Sequence, residues 1–471
     1  MKPHHGIMAS TIGRLSACSQ AGQHADRDVR NIPPRRQDVA NEGHRKRQAM
    51  RKYYSLYGRL LDKQSLYEAF KHVKRAKGAA GIDGQSLRSF ASDLDAELSR
   101  LLLELKEKRY KPSPVKRITI AKAGGGERKL GIPTVRDRVV QQLLRSVLEP
   151  IFDTDFHPSS YGYRKGRSCH HAISKAQLFI RRYERHWVVD MDLSKCFDTL
   201  NHDLIIRQFR EKVTDGSILN LLRAFLESGV MVGREFEHSA VGSPQGGVIS
   251  PLIANVYLDQ FDQEMKRRGH RIIRYADDIL ILCASETGAK HARSIATTYL
   301  EEILKLTVNT EKTHIAHSDG GVKFLGVEIQ TGYTRIQEQK VKAFKAKVKH
   351  ITRRNTGLNL AGVIGKLNPV LRGFVNYFKI ANCKGVLRAL MSWVRRRLRA
   401  IQMKQWKKPS RLHRRLRQLG YEPPFKRIKM RSWRNAASPL ASYSMPNIWL
   451  HEEQGLLDMA TVGVGVSVSG S

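Results

Sequence analysis

The stretch Arg271-Ile-Ile-Arg-Tyr-Ala-Asp-Asp-Ile-Leu-Ile-Leu-Cys283 sets two adjacent carboxylates, Asp277 and Asp278, between two short apolar runs. Runs of this length and composition read as strands, so Ile272–Tyr275 and Ile279–Leu282 are expected to pair as a hairpin with the acids at its tip. Two like charges side by side are costly unless a cation neutralises them. Carboxylate oxygens suit Mg²⁺. A solvated Asp-Asp turn needs no ion, so the dipeptide alone does not decide.

A second run, Val188-Val-Asp-Met-Asp-Leu193, reads as another strand, and Asp198 follows it. Asp190 and Asp192 share one face by the two-residue period of a strand, which leaves both open as a third carboxylate. Three such groups can hold two metal ions at a phosphate, one activating the attacking oxygen and one stabilising the leaving group.

Around these runs the hydrophobic period alternates. Leu94, Leu98, Leu101, Leu102 and Leu105 mark a helix that Lys111-Pro112 ends. Val115–Ile120 and Lys129–Ile132 read as strands flanking Gly124-Gly-Gly126, and Val139 to Ile151 as a helix. Residues from His202 to Ser228 and from Ala289 to Leu304 are expected to be helical, and Val322 to Ile329 a single strand. Helices interleaved with short antiparallel strands predict an α+β domain. From about Gln337 the pattern is almost wholly helical.

Charge narrows the partners. The 471 residues carry 83 Lys and Arg against 43 Asp and Glu, a formal net charge of +40. A compact protein so charged repels itself unless polyanions neutralise it, and nucleic acid is the first candidate. Residues 335–434 hold 29 of the cations and two acids, Glu338 and Glu422. Phe374, Tyr377, Phe378, Trp393 and Trp406 punctuate that segment, which points to a folded basic domain rather than a disordered arm. Phe374, Tyr377 and Phe378 are expected in its core, with the cations meeting nucleic acid. The five cysteines, Cys18, Cys169, Cys196, Cys283 and Cys383, form no C-x-x-C pair, so neither a zinc site nor a disulfide framework is expected. Cys196 and Cys283 read as small core residues. Neither a signal peptide nor a membrane span is legible, and a soluble, reducing, cytoplasmic compartment is the expectation.

Taken in order, these motifs resemble a known family, the reverse transcriptases. Tyr275-Ala-Asp-Asp278 is similar to their Y-x-D-D box, and Asp192-Leu-Ser-Lys-Cys-Phe-Asp198 to their first catalytic motif. Gly242-Ser-Pro-Gln-Gly-Gly-Val-Ile-Ser-Pro251 resembles the block against the incoming nucleotide. Gly78-Ala-Ala-Gly-Ile-Asp-Gly84, Gly131-Ile-Pro-Thr-Val-Arg-Asp-Arg-Val139, Ser159-Ser-Tyr-Gly-Tyr-Arg-Lys-Gly166 and Phe324-Leu-Gly326 resemble further blocks of the group II intron branch. Leu367-Asn-Pro-Val-Leu-Arg-Gly-Phe-Val-Asn-Tyr-Phe378 resembles the start of its thumb, or maturase-specific, domain. The resemblance spans about Lys46 to Trp449.

The resemblance implies a right-hand polymerase fold. Residues 1–44 are expected to be disordered, 45–114 an N-terminal extension with fingers, and 115–335 fingers and palm. Residues 336–430 would be a helical basic thumb and 431–471 a short, partly disordered end. Asp192, Asp277 and Asp278 would ligate two Mg²⁺, and Lys312 would protonate the pyrophosphate. Lys122 and Arg128 would grip the triphosphate, Phe197 would exclude a ribose 2′-OH, and Gln245 and Tyr275 would contact the nucleotide. Arg372, Arg395, Arg396, Arg397 and Arg399 would meet RNA. The partners implied are the group II intron RNA, an RNA template, a DNA primer or target and dNTPs, with no membrane. Nothing resembles the H-N-H endonuclease of many relatives, so DNA cleavage is not expected. The competing readings are a retron, diversity-generating or defence-associated reverse transcriptase, and a splicing factor without polymerase activity.

Overall fold

The computed structural model describes residues 52–121, 127–232, 235–237, 241–242 and 246–462. The disorder expected over 1–44 falls outside the described residues, as do Lys122 and Gln245.

The chain opens with three helices, α1 (Lys63–Ala76), α2 (Leu87–Ser92) and α3 (Leu94–Lys106), then β1 (Val115–Ala121), β2 (Glu127–Ile132) and α4 (Val135–Asp153). Next come α5 (Cys169–Arg181), β3 (Trp187–Met191), α6 (His202–Arg210), α7 (Gly216–Glu227), β4 (Val230–Val232), β5 (Glu235–Glu237) and α8 (Ser250–Arg267). The third part holds β6 (Arg271–Tyr275), β7 (Asp278–Cys283), α9 (Glu286–Thr298), β8 (His314–His317), β9 (Val322–Phe324), β10 (Val327–Ile329) and β11 (Thr334–Ile336). Thereafter it is helical: α10 (Glu338–Ile351), α11 (Leu360–Phe378), α12 (Lys384–Trp406), α13 (Pro409–Gln418), α14 (Pro439–Ser444) and α15 (Met459–Val462). No helix among the described residues is long and apolar enough to cross a membrane.

The acidic hairpin lies in a four-stranded sheet of order β6-β7-β3-β8, every pair antiparallel. Its two faces belong to two cores. Val189, Met191, Ile279 and Ile281 join the helices before and behind the sheet. Val188, Leu280 and Leu282 join β9–β11 and the basic helices. A sheet covered on both faces needs apolar residues at successive positions, which is why these strands read as unbroken apolar runs. The fold is thus α+β, a palm sheet with helices, followed by a helical basic domain.

Three expectations are adjusted. Val322–Ile329 is a hairpin rather than one strand: Leu325 and Gly326 take φ of +45° and +81°, and β9 and β10 pair around them. Positive φ at both central residues makes a two-residue turn whose twist suits a hairpin. The helical stretch 202–228 is broken, because Asp215 accepts from the amides of Ser217 and Ile218 and so starts a new helix, α7. The helix expected over 289–304 begins earlier, capped by Ser285, and its last turn, Tyr299–Ile303, widens to a π-turn.

The C-terminal residues fold back onto the basic domain. Arg399 on α12 donates to the Met445 carbonyl (3.0 Å) and to Asn447 Oδ1 (2.8 Å). Asn368 on α11 donates to the Gly455 carbonyl (2.8 Å) and accepts from the Leu457 amide (3.0 Å).

One buried ion pair ties the palm sheet to α8. Arg274 on β6 and Asp262 on α8 are both at 0% side-chain exposure, with their closest N···O approach at 2.7 Å. Arg274 Nε donates to both Asp262 oxygens (2.8 and 3.0 Å), and Nη1 to Asn255 Oδ1 and the Ala276 carbonyl, each at 3.0 Å. Removing one partner of such a pair leaves an uncompensated charge. Arg274→Met is therefore expected to lower the unfolding free energy by about 3–5 kcal/mol in chemical denaturation at neutral pH. Burial pushes the Asp262 carboxyl up and Arg274 pulls it back. Without the arginine, Asp262 enters the interior protonated, so the deficit shrinks as pH falls and grows as pH rises. A deficit that does not vary with pH refutes this account.

Candidate active site

The strand register brings the expected acids to one end of the palm sheet. Met191 pairs with Ile279 and Tyr275 with Asp278, so Asp192, one residue past β3, emerges beside the Ala276-Asp277 turn. The exit of β3 is stitched to the segment before β8. The Asn309 amide donates to the Asp192 carbonyl (2.8 Å), and the Asp192 amide donates to Thr313 Oγ1 (3.2 Å). Lys312 Nζ stands 3.3 Å from Asp192 Oδ2.

Asp192, Asp277 and Lys312, together with Arg117, Arg128 and Lys129 of β1 and β2, line an open cavity of about 840 Å³. Asp190, which spacing left open beside Asp192, lies one pleat back, opposite Leu280 and His314, and does not line the cavity. Asp278 and Asp190 are each pushed up to about 6. For Asp278 the causes are desolvation and the charges of Asp277, Asp190 and Asp192; for Asp190, desolvation and Asp192, which His314 opposes.

Among the described residues no three acid, His or Cys side chains already stand close enough to cage an ion. The site instead offers hard carboxylate oxygens whose repulsion a divalent cation relieves, which is the donor chemistry of Mg²⁺.

The acidic turn is clamped from behind. Ala276 takes φ of +60°, an uncommon state for a residue other than glycine. Its carbonyl is held by Arg274, and its amide lies against Gly162, where an added Cβ would come within 2.2 Å of the Ala276 nitrogen. The Gly162 carbonyl accepts from Asn255 Nδ2 at 2.9 Å. Asn255 and Asp262 went unread in the sequence, and Gly162 was read only as a member of the Ser159–Gly166 block. The available signal was Arg274 itself, a cation inside an apolar strand that must find a buried partner.

Of the other expected residues, Arg128 lines the cavity opposite Ile120 in register, and Tyr275 is half-buried next to Asp278. Phe197 is buried, its ring edge-on to Tyr163 at 6.4 Å.

The basic helices divide the arginines. Arg372 is exposed on α11. Arg395 is half-buried, with Nη1 3.3 Å from His451 Nε2. Arg396 and Arg397 lie over the Trp433 ring at 5.2 and 5.1 Å, and Arg397 also over Trp393 at 5.3 Å. Arg399 is corrected from an RNA contact to a structural residue: it is 8% exposed and spent on Met445 and Asn447. Phe374 and Phe378 are core, as expected. Exposed Arg411, Arg414 and Arg417 on α13, opposite buried Leu412 and Leu416, form a cationic stripe that sequence reasoning passed over. The i,i+4 leucines were the signal that could have revealed it.

Two outcomes follow from this geometry. Gly162→Ala displaces the acidic turn and is expected to lower primer-extension kcat by about 100-fold, since small misplacements of reacting groups carry penalties of that order. Circular dichroism should show the secondary structure kept, and native turnover would contradict the clamp. Arg399→Ala is expected to cost about 1.5–3 kcal/mol of stability in denaturant titrations, the range for hydrogen bonds from a charged group. Arg372→Ala should leave stability unchanged and weaken RNA binding in filter assays.

Comparison with known proteins assigns two segments of the chain to known families. Residues 120–329 match the family described as reverse transcriptase (RNA-dependent DNA polymerase), and residues 341–420 match the group II intron, maturase-specific domain. The chain is 34% identical to Protein YkfC of Escherichia coli (strain K12) over 315 residues, which cover 59% of this chain and 83% of that protein. It is 28% identical to the group II intron-encoded protein LtrA of Lactococcus lactis subsp. cremoris, covering 58% of this chain and 56% of LtrA. It is 25% identical to a putative COX1/OXI3 intron 2 protein of Saccharomyces cerevisiae, covering 70% of this chain and 45% of that one. The chain therefore spans about half the length of the latter two relatives. The palm sheet with its acidic turn and the basic helices behind it coincide with the two matched segments, and the chain belongs to the reverse transcriptases that carry a group II intron maturase-specific domain.

Proposed function

We propose that this reverse transcriptase extends a primer 3′-hydroxyl on an RNA template, and that the same chain binds a group II intron RNA to assist its splicing and mobility. The observation that carries the first part is that Asp192 and Asp277 line one cavity together with Arg117, Arg128 and Lys129. Mg²⁺ held by Asp192, Asp277 and Asp278 would supply neutralisation of the phosphate charge and polarisation of the reacting oxygens.

The chain's own residues do the rest. Arg128, with Lys122, offsets triphosphate charge as it shifts during transfer. Lys312 is placed to give a proton to the departing pyrophosphate. Phe197 belongs to the wall that bars a ribose 2′-OH, and Tyr275 and Gln245 seat the nucleotide. The basic helices, through Arg372 and the partly exposed Arg395, Arg396 and Arg397, track the intron RNA backbone while their aromatics keep the helices packed. The ribonucleoprotein so formed would use a DNA target as primer, which distinguishes this reading from a retron or defence enzyme.

Primer extension on an RNA template with dNTPs and Mg²⁺ tests the polymerase role. The native chain is expected to make cDNA, and Asp277→Ala/Asp278→Ala to make none while still binding intron RNA. Tight intron binding with no cDNA from either protein would leave the splicing role and remove the polymerase mechanism.

A further inference from the structure

Phe197, the ring assigned to exclude a ribose 2′-OH, is only 7% exposed. Its edge-on neighbour is Tyr163, which is 45% exposed, with centroids 6.4 Å apart and planes at 76°. An aromatic this exposed adds little to a core, and its backbone is in an unfavourable state as well, at φ of +60°. Non-glycine residues held in that region persist when their surroundings force them there, and they cluster at functional sites.

The surroundings here do force it. On one side, Gly162 is pressed against the Ala276 backbone and its carbonyl is tied to Asn255. On the other, Arg164 is 9% exposed, with Nε 2.6 Å from Asp153 and Nη1 3.0 Å from the carbonyls of both His157 and Ser160. With both neighbours locked, the Tyr163 side chain has a fixed point of departure.

We propose that Tyr163 is the solvent-facing half of a two-ring sugar gate, a specificity-determining residue that discriminates dNTPs from rNTPs while Phe197 braces it from beneath. The proposal rests on the polymerase reading. It follows that Phe197 acts through packing and that the surface a 2′-hydroxyl would strike is the Tyr163 ring. The clamp that fixes the acidic turn also fixes the gate, since Gly162 joins them, so metal ligands and sugar selection share one rigid support.

The test is single-nucleotide insertion on a primer–RNA template, with kcat/KM measured for one dNTP and its rNTP. Tyr163→Ala and Tyr163→Gly are expected to lower the dNTP/rNTP ratio about tenfold or more, a modest value for loss of a shape contact in a substrate pocket. Tyr163→Phe keeps the ring and should keep the native ratio. The glycine variant separates ring from loop, because φ of +60° suits glycine and the loop loses no preference for its shape. An unchanged ratio in the alanine and glycine variants overturns the proposal. So does a parallel fall for both nucleotides, which would mark Tyr163 as scaffold. A native chain that inserts no dNTP fails the polymerase reading instead, an outcome separate from the gate.

Discussion

Arg274 spreads its guanidinium fork inside the protein. Nε donates to Asp262 on α8, Nη1 to Asn255 and the Ala276 carbonyl, and Nη2 lies 2.7 Å from Asp262 in the ion pair. A guanidinium is suited to this because its donors diverge in a fixed plane and its charge cannot be shed by deprotonation. The pair contributes little net stability if judged by Coulomb energy alone, since two buried charges lose their hydration. Its contribution is geometric. It fixes where β6 ends, and with that the direction in which Asp277 and Asp278 project. Asn255 extends the same network to Gly162, so the loop before α5 and the acidic turn move as one piece.

The palm sheet explains how a chain with so much charge builds an interior. One face packs against the helices that surround α8, and the other against β9–β11 and the basic domain. The basic helices are therefore part of the same packing unit as the acidic turn. Tyr377 makes the link at atomic scale: its hydroxyl donates to the Leu325 carbonyl at the β9–β10 turn (2.8 Å), and its own carbonyl lies 2.6 Å from His170 Nε2 on α5. In the basic domain, arginines serve two ends. Arg397 and Arg399 satisfy backbone carbonyls and stack on or pack beneath neighbouring elements, while Arg372, Arg411, Arg414 and Arg417 remain in solvent. Arginine tolerates both uses because its stem is apolar and its head weakly hydrated.

The hairpin carrying Asp277 and Asp278 was legible because apolar runs bounded by turn residues have few other uses, and its strands run close to the expected limits. The break at Leu325-Gly326 was not, since a short apolar run looks alike whether it is one strand or two. Arg399 was misjudged for a related reason. Its sequence neighbours Arg395, Arg396 and Arg397 suggested one cationic face, but four residues within five positions of a helix point around most of its circumference. Leu398 and Ala400, both buried, mark the side on which Arg399 actually lies.

The sequence by itself determined the α+β class, the acidic hairpin, the charge segregation and the family, because each depends on local period, composition or motif order. Only the tertiary structure decided that Asp192 rather than Asp190 reaches the cavity, that Arg274 finds Asp262 and Asn255, that Arg399 is structural, and that the Tyr163 ring meets Phe197 edge-on. These outcomes depend on which elements meet, through register and close packing between residues far apart in the chain, and no local pattern encodes such meetings.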